Sequence, residues 1–146
     1  VDFLAHDAGH LLEVMLGWRA NPHFGPFHVA SSILIFGGFI LLAAAYVPGT
    51  RIKRAVGHPM VLGVEVWAVA HLLANGAVAD LVLFGSILVW AVVNYAAARR
   101  RDRAAGTVYS IGPVSRDVRA VVIGLVVWAV FAFWLHGVLI GPQPFG

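Results

Sequence analysis

The sequence predicts an all-α integral membrane protein: an up-down helical bundle with about four transmembrane helices and an N-terminal interfacial helix. Three observations lead there. Hydrophobic residues fill 60% of the 146 positions and charged residues only 12%, against about 25% charged in soluble domains. Mean hydropathy is +0.86, and several runs of about twenty residues are nearly free of charge, the length a helix needs to cross a ~30 Å hydrocarbon core. Finally, nine of the ten Lys and Arg residues fall in two connections between those runs. The basic pI of about 10.0 therefore points to orientation in a bilayer, and no nucleic-acid partner is expected.

Residues 1–27 form a segment of their own. Apolar residues at 3, 4, 11, 12, 14, 15 and 18 suit a short amphipathic helix that ends near "RANPHFGP". It is too short and too charged to span, so it is expected at the interface. Within it His6 and His10 stand four apart, with Asp7 and Glu13 close by. Such a pair can clamp a metal, but "HDAGH" lacks the Glu of the metalloprotease motif, and a solvated face accounts for it as well. The chain opens on Val1 with no signal-peptide pattern, so we expect residues to precede it in the complete protein.

Residues 28–146 form the transmembrane domain. The first span, about His28 to Val47, stops at Pro48-Gly49. A short basic loop follows. The second span, about His58 to Asn75, has Pro59 in a tolerated first-turn position and closes on Asn75-Gly76. The third runs from about Ala79 to Ala98 and ends in "RRRDR"; the fourth runs from about Val118 to Ile140 and stops at Gly141-Pro142. By the positive-inside rule the connections 48–57 and 99–117 are cytoplasmic and the C-terminus lies on the opposite side. Short loops make sequential helices antiparallel neighbours. Gly37-Gly38, Gly63, Gly85-Ser86 and Gly124 are the candidates for close helix approach.

Polar residues inside such spans are costly and are the first place to look for function. His71 lies four residues before the outer end of the second span, roughly 6 Å deep. His136 lies about five residues before the end of the fourth, roughly 7 to 8 Å deep. His28 starts the first span on that side, so three histidines share one level. Trp67, His71 and Asn75 form an i, i+4 row, and Gly124, Trp128, Ala132 and His136 form another. A flat ligand between two such faces would meet imidazole nitrogens and apolar walls, as a haem site requires. Each histidine could equally bond a neighbour or a headgroup and do nothing else. His58, beside Pro59, reads as a helix-start residue at the cytoplasmic end. Glu65, near mid-membrane, needs a partner or a proton, and Asn94 is the partner that composition offers. The chain has no cysteine, which excludes disulfides, iron–sulfur clusters and thiol nucleophiles; no triad spacing, phosphate loop or dinucleotide fingerprint occurs.

"LLAAAYVPGTRIKRAVGHPMVLGVEVWAVAHLLANGAVADLVLFGSILVWAV", then "ARRRDRAAGTVY" and the terminal "FWLHGVLIGPQPFG", resemble the NnrU family of bacterial membrane proteins. The resemblance covers about residues 28 to 146. It implies a multi-pass protein of the bacterial inner membrane, associated with nitrite and nitric oxide reduction in denitrification. The family is also homologous to the zeta-carotene isomerase, a membrane enzyme that uses haem b to interconvert cis and trans double bonds. What the resemblance implies for residues is narrower. The histidine of "AHLLANG", His71, corresponds to a haem axial ligand in the isomerase, and the "HP" histidine is His58. The isomerase's other axial ligand lies in an N-terminal helix, where this chain departs from the pattern; His6 and His10 are the residues available to stand in. For His136 only the depth argument speaks. The expected partners are the bilayer and either a hydrophobic polyene or, if the protein is an accessory subunit with no activity of its own, a respiratory membrane complex.

Overall fold

The computed structural model describes residues 26–141. His6 and His10, and the helix expected around them, lie outside the described residues. Six α-helices follow in order: α1 (Pro26–Tyr46), α2 (Arg51–Val56), α3 (Pro59–Ala74), α4 (Val78–Ala105), α5 (Ser115–Val130) and α6 (His136–Leu139). A π-helical turn, Phe131–Leu135, joins the last two into one continuous rod. No strand occurs among the described residues.

Three helical stretches are long and apolar enough to cross a membrane: Phe27–Tyr46, Val78–Ala105 and Ser115–Leu139. The fourth expected span, α3, has 16 residues and is roughly 24 Å long. It is apolar but short, because Pro59 fixes its first turn and Asn75, in extended conformation, ends it.

The interior is made of small side chains. Among the described residues the buried hydrophobics include Ala44, Ala68, Ala70, Ala91 and Ala120, with only Val47 and Phe84 larger than alanine. Large side chains such as Ile33, Val82, Val93 and Leu139 point outward. Lipid provides no hydrophobic drive to hide a leucine, so close backbone approach is what holds such helices together. Gly63 and Gly38 sit where α3 crosses α1: a Cβ on Gly63 would lie 3.1 Å from the Gly38 carbonyl oxygen. Gly124 seats α5 on α1, where a Cβ would fall 2.8 Å from Ile40 Cα. Gly37 and Gly85, also expected to serve packing, have open space where a Cβ would be.

Two expectations about connectivity change. The basic loop after the first span is mostly helix. Thr50, fully buried, caps α2 by accepting from Lys53 N at 3.0 Å, and Asp117 Oδ1 accepts from Arg51 N at 2.8 Å and Ile52 N at 3.3 Å. Those long-range caps satisfy first-turn donors that six residues could not satisfy alone. Further, the helices are ordered α4–α3–α1–α5. Packing joins α1 to α3, α3 to α4 and α1 to α5, but no such packing joins α4 to α5. The 106–114 connection is long enough for α5 to pass its sequence neighbour. It is pinned beside the end of α1 by Gly112 N donating to Gly49 O at 2.8 Å and by Arg116 Nη1 donating to Pro48 O at 3.1 Å.

Candidate functional site

The end of α3 brings Trp67, His71 and Asn75 together. His71 Nδ1 lies 2.9 Å from the Trp67 carbonyl oxygen. Since a carbonyl only accepts, Nδ1 carries the proton, and in the neutral ring Nε2 keeps its lone pair. Nε2 has no hydrogen-bond partner among the described residues. Below it, Asn75 Nδ2 donates to the His71 carbonyl at 2.9 Å, which secures the helix end by a second bond beside the Asn75 N–H to the same oxygen.

Aromatic rings fix the imidazole from two sides. The indole of Trp67 stands 4.5 Å from the His71 ring, centroid to centroid, and the ring of Phe84 on α4 stands 4.6 Å away. Trp67 and Phe84 also meet edge-on at 5.3 Å. Sequence reading missed Phe84, since a phenylalanine in an apolar span gives no polar signal. The usable signal was topological: a tight turn at residues 75–77 brings residues 81 to 84 of the next helix alongside His71.

His136 joins this end of the molecule. His71 lies within electrostatic reach of both His136 and Asp80, so α3, α4 and the rod of α5 and α6 each bring a titratable group to one level. The expected Gly124–Trp128–Ala132–His136 row is broken, however. The π-turn places one extra residue in the ring of backbone bonds, with His136 N donating to Phe131 O, and turns His136 away from the stripe by roughly a quarter turn. Gly124 and Ala132 stay buried, Trp128 packs edge-on against Phe36 at 5.6 Å, and His136 packs against Phe131 at 5.7 Å. His28 lies in the first turn of α1 and is not among the groups acting on His71.

Nearer the start of α3, α1 and α3 leave a cleft of about 120 Å³ walled by apolar side chains, including Ile35, Phe39, Leu42, Met60 and Trp67; His71 does not line it. Trp67 is thus shared: one part lines the cleft and another braces His71. That volume is well below the ~300 Å³ at which small-molecule pockets begin, so it suits a thin hydrocarbon chain and cannot enclose a porphyrin. No group of three or more His, Cys, Asp or Glu residues that could hold a bare metal ion occurs among the described residues.

The opposite end holds a different constellation. His58 Nε2 bonds Asp102 Oδ2 at 2.9 Å, and the Tyr109 hydroxyl donates to the same oxygen at 2.9 Å. Arg99 Nη1 lies 3.6 Å from it. Burial, then the hydrogen bond to Asp102, push the Tyr109 hydroxyl above the usual tyrosine range. His58 occupies the N-cap of α3 but its side chain does not cap the helix; it ties α3 to the end of α4 and the following connection. Gly57 makes room for this tie with a φ of +77°, and a Cβ there would collide with the Arg99 guanidinium.

Between the two ends, Glu65 Oε1 is sealed from solvent without a hydrogen-bond partner among the described residues. Asn94 is not its partner. Asn94 Nδ2 donates at 2.8 Å to Trp90 O, one turn back in its own helix, a bond that a short amide in a span makes more readily than one across helices.

No curated protein and no solved structure matches the chain. The family model described as "NnrU protein" matches residues 10–144, from within the N-terminal segment to beyond the last described helix, which ends at Leu139. With that match over nearly its whole length, the chain belongs to the NnrU family.

Proposed function

We propose that this NnrU-family membrane protein binds haem b with His71 as an axial ligand, and that it acts as a cis-trans isomerase on a carotenoid-like polyene. The observation that carries the proposal is the His71 ring. Its Nδ1 is committed to a carbonyl, Trp67 and Phe84 pack against it as a pair of touching rings, and its Nε2 keeps a lone pair with no hydrogen-bond partner among the described residues. Metal-bound histidines are oriented in this way, by a bond from the other ring nitrogen to a backbone or carboxylate oxygen. His136 and His28 are the candidate second ligands among the described residues, and His6 and His10 are candidates outside them.

When bound, the haem would supply an iron centre able to lower the barrier to rotation about a double bond. The chain's own residues supply the rest. Trp67 and Phe84 restrict the imidazole to one orientation, and the Asn75 bond to the His71 carbonyl keeps the helix from fraying beneath it. The apolar cleft between α1 and α3 would offer a slot for hydrocarbon, and Trp67, which lines it, also packs against His71. A polyene would enter from lipid and lie there away from water. The proposed setting is the bacterial inner membrane, with the basic connections 48–57 and 99–117 in the cytoplasm.

The test is an absorption spectrum of the purified full chain, with haem supplied, before and after dithionite. A Soret band lost in His71→Ala, followed by conversion of tri-cis zeta-carotene under reducing conditions, is the expected result. A colourless protein overturns the haem assignment and favours an accessory role in a nitrite- or nitric-oxide-reducing membrane complex. A coloured protein inert toward the carotene overturns the isomerase assignment alone.

A further inference from the structure

The end of the molecule opposite His71 carries a charge imbalance that the fold does not resolve. Nine cations lie in or beside the connections there, and Asp102 and Asp117 are the acidic residues among them. Both carboxylates are already engaged internally. Asp102 Oδ2 accepts from His58 and Tyr109. Asp117 Oδ1 caps α2, and its Oδ2 is buried out of reach of the surface. Four of the cations are also occupied: Lys53 Nζ donates to Ala45 O, Arg116 to Pro48 O and Arg100 Nε to Ala96 O, and Arg99 lies beside Asp102. The side chains of Arg51, Arg54, Arg101, Arg103 and Arg119 remain exposed, with no acidic partner among the described residues.

These arginines are held at a defined height. Only residues 47–50 separate α2 from the end of the α1 span, and the Lys53 bond reaches back to the last turn of that span at 3.3 Å. Asp117 ties one end of α2 to α5, while the Tyr95 hydroxyl donates at 2.7 Å to Val56 O and ties the other end to α4. The short helix is therefore a crossbar between two helices that do not pack on each other, laid at the level where a span leaves the hydrocarbon. Tyr46, largely exposed at the end of α1, sits where aromatic side chains meet headgroups. Exposed guanidinium groups at that level face phosphates, which they bind in bidentate fashion.

We propose that this crossbar and the adjoining end of α4 form a binding surface for anionic phospholipid headgroups, with Arg51 and Arg54 on one element and Arg101 and Arg103 on the other as its principal contacts. The surface discriminates by net headgroup charge. Each cation near an anionic bilayer surface changes the affinity by roughly fivefold, and the preference weakens as salt shortens the screening length.

The protein reports on the lipid beside this surface through Trp90, turned outward on α4. The full chain is reconstituted in vesicles of brominated phosphatidylglycerol mixed with plain phosphatidylcholine, then in the reverse pairing, and tryptophan quenching gives the relative association constant. The expected result is a preference of about tenfold or more for phosphatidylglycerol at low salt, reduced at high salt. It should fall to parity when Arg51, Arg54, Arg101 and Arg103 are all changed to Gln and persist when all four become Lys. Equal quenching by the two lipids in the wild-type protein overturns the proposal whether or not the Gln variant folds. Loss of the preference in millimolar inorganic phosphate overturns it too, by showing a site for the free anion.

Discussion

Helix α3 carries an imidazole at each end, and the fold uses the two in opposite ways. His58 spends its Nε2 on a carboxylate from another helix, with a tyrosine bonded to the same oxygen. His71 spends its Nδ1 on a carbonyl of its own helix and holds Nε2 in reserve. A histidine tied across elements fixes the fold, and one tied within its helix leaves its other nitrogen unbonded among the described residues. Their neighbours follow the same division: Arg99, Asp102 and Tyr109 surround the first, Trp67 and Phe84 the second. The two imidazoles of α3 therefore differ in which element satisfies the first ring nitrogen, and the proposed ligand role falls on the one whose bond stays within its own helix.

The largest expected effect breaks that comparison directly. In haem-loaded protein, His71→Ala should remove most of the Soret absorbance per protein, a loss of tenfold or more, whereas His58→Ala should leave it within twofold; loss of a single axial ligand or its support costs on the order of 10- to 100-fold in metal affinity. Haem content by pyridine haemochrome, measured for both variants side by side, checks it. Equal losses would mean that the two ends are not functionally distinct.

Packing gives the next contrast. Gly124→Ala places a Cβ against the backbone of Ile40 at 2.8 Å and 3.0 Å, where nothing can rotate aside, so α5 must shift off α1. The expected destabilisation is about 1 to 3 kcal/mol, seen in reversible detergent unfolding. Gly37→Ala, one turn before Leu41 on the same α1, meets nothing within 4 Å and should be neutral or stabilise slightly, by up to ~1 kcal/mol, through helix propensity.

How far the sequence foretold these sites follows from what each signal measures. Hydropathy and charge clustering report transfer into lipid, which is a property of single segments, so the long spans were legible. The Trp67–His71–Asn75 row was legible because it depends on one uninterrupted helix. The corresponding row to His136 was not, because a π-turn at Phe131–Leu135 has no propensity signature and shifts everything after it. Nor was the α4–α3–α1–α5 order readable: it rests on Gly112, Arg116 and Asp117 reaching residues more than sixty positions earlier. The small helix α2 escaped in part for the same reason, since Asp117 adds two bonds to the local cap that Thr50 makes. Asn94 was assigned to Glu65 by composition, and composition carries no information on which way a side chain turns.

The tie at His58 makes its own prediction, in pH. Tyr109 holds its proton more tightly in the folded state than a free tyrosine. A raised folded value means that the stabilisation is fully present below the unfolded tyrosine value near about 10 and is lost as pH rises through the folded one. Ultraviolet titration should show one phenol ionising late, and Asp102→Asn should bring it back toward the ordinary range. Trypsin cleavage after the arginines of the α4 end should increase in that variant and at high pH in the wild type. A Tyr109 that titrates normally would remove the tie from the comparison and leave His58 as a simple helix-start residue.

Glu65 supplies the smallest effect and the sharpest use of it. The carboxyl lies on α3 between the two imidazoles, and its Oε1 makes no hydrogen bond among the described residues. A bonded carboxyl in a span loses stability when its acceptor is replaced, since the abandoned donor stays buried. Glu65 abandons no such donor at Oε1. Glu65→Gln keeps the shape and exchanges one orphan for another, so detergent unfolding should shift by less than about 0.5 kcal/mol, and haem content should not change. A clear loss of stability would reveal a partner for this carboxyl in the assembled membrane protein. A loss of haem at unchanged stability would extend the ligand end of α3 down to mid-helix, and the division between its two ends would then fall at His58 alone.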